Sequence, residues 1–173
     1  TDPAERTELD ALSKKAPPAP PANFVMPKGP GKAYTVDDVV ALTQGGLRGR
    51  DFAQGKAMFE ATLCARCHRF NGDGGSIGPD LTGAGNRYTM RDLAENIIDP
   101  SKEIDAKHQT HLLETESGEV LTGIVAEKSD REVVLRMIGD KEARIPTSKI
   151  VSLQPQRTSL MPEQLLRDVT AQD

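Results

Sequence analysis

Tryptophan is absent from this 173-residue chain, and only two Tyr and four Phe stand in its place. With 36% hydrophobic residues, there is little bulk for a self-sufficient core of this length. Part of the chain must then be linker, or a bound cofactor must supply apolar volume. No apolar run approaches the roughly 20 residues that span a bilayer, which excludes a membrane-crossing helix. The net charge of −4, with signs mixed, leaves no basic footprint for nucleic acid. Residues 1–23 are polar and Pro-rich and do not read as a signal peptide; a leader already removed and a piece of a longer protein are both open readings. Only two cysteines are present, three apart at 64 and 67. A disulfide between them would close too small a loop to stabilise much.

What is present divides along the chain. Residues 1–34 form a tether, with most prolines in SKKAPPAPPANFVMPKGPGKA. Within it Phe24, Val25 and Met26 are a candidate docking point, and PAERTELDALSKK could make one or two helical turns. Thr35-Val-Asp-Asp38 has the form of a capping box, so 35–50 read as a short helix, over 35–44, and a turn at Gly45-Gly46. A second helix is expected from Asp51 to about 65, with Phe52, Met58, Phe59 and Leu63 recurring, running straight into the cysteines. Residues 71–87 are Gly-rich loop. Thr89 caps a third helix, MRDLAENII, whose Leu93, Ile97 and Ile98, with Met90, fit one apolar face, and Asp99-Pro100 ends it.

Beyond Asp105 the pattern changes to alternation rich in Val, Ile, Leu and Thr, with turn signals at Ser117-Gly118, Ser129-Asp130 and Gly139-Asp140. This predicts an antiparallel meander of four or five short strands over 108–154. PEQLLRDVTAQD begins a further helical turn or two, and Thr170-Ala-Gln-Asp173 has the form of a helix start.

The chemistry is concentrated in Cys64-Ala65-Arg66-Cys67-His68. Two thiols one helical turn apart can add to the two vinyl groups on one edge of a haem, and the adjacent His can ligate the iron. A thioredoxin-like pair would open a helix after a βαβ pattern, whereas this motif follows a helix and precedes a Gly-rich loop. A structural zinc wants four ligands, and only His108 and His111 remain to complete the set. A covalent haem c would also supply the missing apolar bulk.

Helix, Cys-x-x-Cys-His, Gly78-Pro79-Asp80-Leu81-Thr82-Gly83 and Arg87 together closely resemble the class I cytochrome c pattern. The resemblance implies that the Pro79 carbonyl accepts a hydrogen bond from the proximal His68, and that Arg87 touches a haem propionate. Over about 51–170, the stretches QGKAMFEATLCARCHRF, GPDLTGAGNRYTMRDLAENIIDPSKEI, SGEVLTGIVAEK and SLMPEQLL resemble more specifically a haem-binding domain of planctomycetes and Verrucomicrobia. That domain commonly ends multidomain proteins with dehydrogenase-like propellers or helical repeats. The fold expected is a mainly α cytochrome c domain over 51–173, with a β-rich insert between the Gly-Pro loop and a distal Met loop.

Met161 lies in Thr158-Ser-Leu-Met-Pro162, where class I cytochromes carry their distal ligand, so the resemblance makes His68 and Met161 the axial pair. His108 and His111 remain alternatives, as does an open site. Gly55 and Phe59 match the surface of the first helix that a closing C-terminal helix covers in this family. That helix is expected to be missing here, its place taken by residues 35–44 or by a second copy of the chain, the latter giving a homodimer.

His/Met ligation leaves no open position for a substrate, and points to single-electron transfer rather than bond chemistry. The expected donor is a dehydrogenase, and the acceptor a cytochrome or an oxidase. The competing reading is a haem-based gas binder or sensor with a labile or absent Met161. A peroxidase fits less well, since no distal His with an acid–base partner is evident. Covalent haem attachment implies a periplasmic or otherwise exported location.

Overall fold

The computed structural model describes residues 29–45, 49–139 and 141–171. Most of the tether, the turns expected near the N-terminus, the Phe24–Met26 docking point, and the last two residues of the Thr170–Asp173 cap lie outside the described residues.

The first helix, α1 (Val36–Thr43), starts at the expected capping box. The Asp38 N–H donates to Thr35 Oγ1 at 3.1 Å, and the Thr35 N–H donates to Asp38 Oδ2 at 2.9 Å. Asp38 also accepts from Lys32 at 2.8 Å, and this bond, with those from Thr35, lowers its carboxyl pKa to about 2. The helix packs on α4 (Met90–Ile98), with Arg91 paired to Asp37 at 2.6 Å. Thr89 and Asp92 form the second capping box, as expected. Leu93, Ile97 and Ile98 are half-buried and Ala94 is buried. Met90, expected on that apolar face, is instead exposed: it is the first residue after the cap and lies beyond the covered stripe.

The helix before the cysteines is shorter than its apolar pattern predicted. α2 (Phe52–Ala61) opens on Asp51, whose side chain accepts from the Gln54 N–H at 2.9 Å. It ends where the Thr62 hydroxyl donates back to the Met58 carbonyl at 2.8 Å and Leu63 turns left-handed, with φ of 66°. The cysteines then occupy a separate single turn, α3 (Cys64–Cys67). The break re-aims the chain, so the motif does not simply continue the α2 axis. In the Gly-rich region β1 (Arg69–Phe70) pairs with β2 (Asp73–Gly74), and a 3-10 turn covers Ala84–Asn86.

The meander is five strands: β3 (Thr110–Thr115), β4 (Val120–Lys128), β5 (Glu132–Met137), β6 (Lys141–Pro146) and β7 (Ile150–Pro155). They lie in the order β6-β5-β4-β3-β7, every pair antiparallel, so the last strand returns to lie beside the first. Lys141, Glu142, Arg144 and Pro146 occupy the outer strand β6, charges and a proline that discourage pairing with another chain. After β7 no helix forms from PEQLL, although hydrogen-bonded turns span 165–168, with the Arg167 N–H donating to the Gln164 carbonyl at 3.0 Å and the Val169 N–H to that of Leu166 at 3.1 Å. Gln164 is left-handed, at φ 61°, and the segment is also held by tertiary bonds. The Gly29 N–H donates to the Asp168 carbonyl at 2.7 Å, Tyr34 Oη to Val169 O at 3.0 Å, and Arg50 to Ala171 O at 2.7 Å.

The packed interior belongs to the sheet. Leu113, Val133, Leu135 and Ile145 are buried together, flanked by Leu121, Val125, Met137, Ala143, Ile150 and Leu153. In contrast, no residue of α1, α2 or α3 is fully buried. Leu135→Ala would remove a side chain of zero exposure from the cluster. The expected cost is about 3 kcal/mol, measured by denaturant unfolding followed through the β-sheet signal.

Candidate haem-binding site

α3 is a single turn because four residues suffice to bring Cys64 and Cys67 to one side, and the His68 N–H closes it on the Cys64 carbonyl at 2.9 Å. Neither cysteine is in a disulfide, both are half-buried, and the Thr62 hydroxyl lies 3.2 Å from Cys64 Sγ. The loop after β2 folds back onto this turn. The Gly75 N–H donates to the Ala65 carbonyl at 2.9 Å and the Gly78 N–H to the Cys67 carbonyl at 2.8 Å. These contacts demand glycine. A Cβ on Gly75 would collide with the Arg66 carbonyl, and one on Gly78 would stand 2.7 Å from Cε1 of the His68 ring.

His68 Nδ1 lies 2.9 Å from the Pro79 carbonyl oxygen. A carbonyl can only accept, so Nδ1 carries the proton and Nε2 keeps its lone pair for a ligand. Next along the loop, the Thr82 N–H donates to Asp80 Oδ1 at 2.8 Å. Hydrogen bonds from Thr82 hold the Asp80 carboxyl below the usual range, with the charges of Arg69 and Arg87 adding to the effect. Arg87 Nη2 donates to the carbonyls of Asp80 and Thr82, each at 3.2 Å. Arg87 therefore braces the loop that carries Pro79.

The structure thus brings Cys64, Cys67, His68, Pro79 and Arg87 into one connected unit. Met161 is half-buried and anchored by another route: its N–H donates to Ser159 Oγ, and the Ser159 N–H to Ser101 Oγ, both at 3.1 Å. This ties the Ser-Leu-Met-Pro stretch to the residue just past α4. His111 is in β3, half-buried, with Nδ1 2.9 Å from the Gln109 carbonyl.

His108 differs from its expected place in a strand. It ends a 3-10 turn, Ala106–His108, opened by Asp105, whose side chain accepts from the Lys107 N–H at 2.8 Å. The ring is half-buried and its pKa is lowered, chiefly by burial; Asp105 opposes the shift, while the nearby charges of His68 and Lys107 add to it. His108 and His68 are thus within electrostatic reach of each other. The signal for this was Asp105 itself, a side chain that favours a turn three residues before the histidine.

A groove of about 970 Å³ runs along α2, walled by Phe52, Met58, Phe59, Phe70, Leu166 and Val169 among others. Gly55 and Phe59, expected on the covered face of the first helix, both line it, and Phe52 is 75% exposed beside it. The groove reaches Cys64, but Cys67, His68 and Pro79 are not among its walls. α1 borders the groove through Val39 and Leu42 while packing on α4.

Residues 52–133 match the cytochrome c family, which supports a cytochrome c domain there and, with it, covalent haem c and electron transfer in general. No curated protein matches the chain in sequence. The donor set fits that cofactor: two cysteines one turn apart and not joined in a disulfide, beside an imidazole whose second nitrogen is already engaged. The described residues contain no group of three His, Cys, Asp or Glu that could hold a metal ion. Among the described residues, α1, α2 and α3 hold no buried side chain and α4 only Ala94, as they would if a macrocycle lay against them. No helix among the described residues is long and apolar enough to cross a membrane.

A histidine whose folded-state pKa lies below the unfolded value of 6.5 binds fewer protons folded than unfolded. Its contribution to stability is present above 6.5 and is lost as pH falls through the lowered value. His108→Gln is therefore expected to flatten the fall in Tm on acidification below 6.5, measured by thermal unfolding across that range.

Proposed function

We propose that this chain is a single-haem electron-transfer domain, of the type resembling the planctomycete and verrucomicrobial haem-binding domains. In this reading Cys64 and Cys67 hold haem c by thioether links, His68 Nε2 is the proximal ligand, and Met161 is the distal one. The observation that carries the reading is the His68 Nδ1–Pro79 bond beside two cysteines one turn apart that form no disulfide.

The bound haem would supply a one-electron couple. The chain's own part is positioning. Pro79 fixes the ring and keeps the Nδ1 proton in place, which sets the basicity of the ligating nitrogen. Gly75 and Gly78 let the loop approach closely enough to cover the turn that holds the thiols. Arg87 holds the Asp80–Thr82 backbone and, in this reading, lends its remaining donors to a propionate. Ser159 and Ser101 fix the stretch that carries Met161, whose thioether sulfur would ligate the iron. Such a site has no open position for substrate and suits electron transfer from a dehydrogenase-type donor to a cytochrome or oxidase, within a larger exported protein or redox chain.

Haem-loaded protein is expected to show the weak far-red band of Met-ligated oxidised iron and to take up CO slowly. Met161→Ala should abolish the band and speed CO uptake, while His108→Ala and His111→Ala leave the band in place. A high-spin wild-type spectrum with rapid CO uptake would instead identify a gas binder.

A further inference from the structure

We propose that the five-stranded sheet acts on the haem site from the proximal side, with Arg136 as the positioning residue that stiffens the loop behind His68. This rests on the haem reading above.

Cross-strand partners share one face of a sheet. The registers Thr110↔Ile124, Ile124↔Arg136 and Arg136↔Glu142 place these four residues in one row across β3, β4, β5 and β6. On β5 that face alternates with the one bearing Val133 and Leu135, which belong to the main apolar cluster. It is nevertheless covered, since Thr110, Ile124 and Val134 are 3%, 9% and 2% exposed. An uncovered outer face would leave such residues wet.

Arg136 is where this row meets the loop. Its Nε and Nη2 donate to Glu142 Oε1 at 3.4 and 3.3 Å, which orients the guanidinium fork. Its Nη1 then donates to the Ser76 carbonyl at 3.5 Å. Ser76 lies between the two pinned residues Gly75 and Gly78 and next to Ile77, which is 4% exposed. The span from Ser76 to Pro79 is therefore short and held at both ends, and a shift at Ser76 is transmitted to the residues that touch the His68 ring. Gly78 lies against the ring, and the Pro79 carbonyl accepts its proton. Arg136 touches neither haem ligand, and acts through the loop.

The test compares Arg136→Met, which keeps most of the apolar stem, Arg136→Lys, which also keeps the charge, and Glu142→Gln, all in haem-loaded full-length chain. The readouts are amide hydrogen exchange at Gly78 and at Leu113, and the haem midpoint potential. Arg136→Met is expected to speed Gly78 exchange about tenfold while Leu113 stays slow, and to shift the potential upward as the His68–Pro79 bond loosens. Arg136→Lys should recover part of the protection, and Glu142→Gln should change Gly78 less than Arg136→Met does. Unchanged Gly78 exchange in the Met and Lys variants, or Leu113 accelerating in parallel with it, overturns the proposal. A haem-loaded protein with an unmoved Gly78 would sink this coupling and leave the haem reading intact. A Gly78 effect in a protein that never acquires covalent haem would do the reverse.

Discussion

The helical part of this molecule is organised by one hydrogen bond, from His68 Nδ1 to the Pro79 carbonyl. For that bond to form, a loop eleven residues downstream must return to the turn that carries the thiols. The return is possible because Gly75 and Gly78 carry no Cβ where the loop meets the motif's backbone and the ring. It is secured by two backbone bonds to Ala65 and Cys67 and by the Arg87 brace. The result is an imidazole with one nitrogen committed and one left for a ligand, which is what an axial ligand of fixed orientation requires.

The two halves of the chain reach stability in different ways. The sheet closes its own core with Leu, Val and Ile side chains that are fully out of water. The helices bury little by themselves, and α2 leaves Phe52, Met58 and Phe59 along an open groove. That contrast explains the composition. A chain without Trp and with few aromatics can be well packed in a small sheet while its other half buries few large side chains among the described residues. Thr110 adds a detail at the border between the halves, since its hydroxyl is buried and has no hydrogen-bond partner among the described residues.

Much of this was legible in the residues. Both capping boxes, Thr35/Asp38 and Thr89/Asp92, begin helices where their side-chain chemistry requires, because capping is local. The turns at Gly118 and Gly139 have the positive φ that favours glycine, and five strands follow the alternation. The departures come where tertiary contacts overrule local pattern. Leu63 adopts a left-handed conformation that no sequence signal marks in a leucine, so the helix break before Cys64 was hidden. Residues after Pro162 read as helical, but bonds from Gly29, Tyr34 and Arg50 hold them in another path. The alternation that begins nearby predicts a strand at His108, whereas Asp105 opens a 3-10 turn there. Close approach of loop backbone to motif backbone, and the reach of Arg136 to Ser76, join residues far apart in sequence and leave no trace in a single chain.

Everything functional in this account depends on whether Cys64, Cys67 and His68 hold a haem covalently. The most direct measurement is the mass of the denatured protein after production in a host with a cytochrome c maturation system. One haem is expected to stay with the polypeptide through denaturation and acid–acetone extraction, and to be lost from the Cys64→Ala/Cys67→Ala double variant. A polypeptide of apoprotein mass with extractable haem, or with zinc released on denaturation, would contradict it.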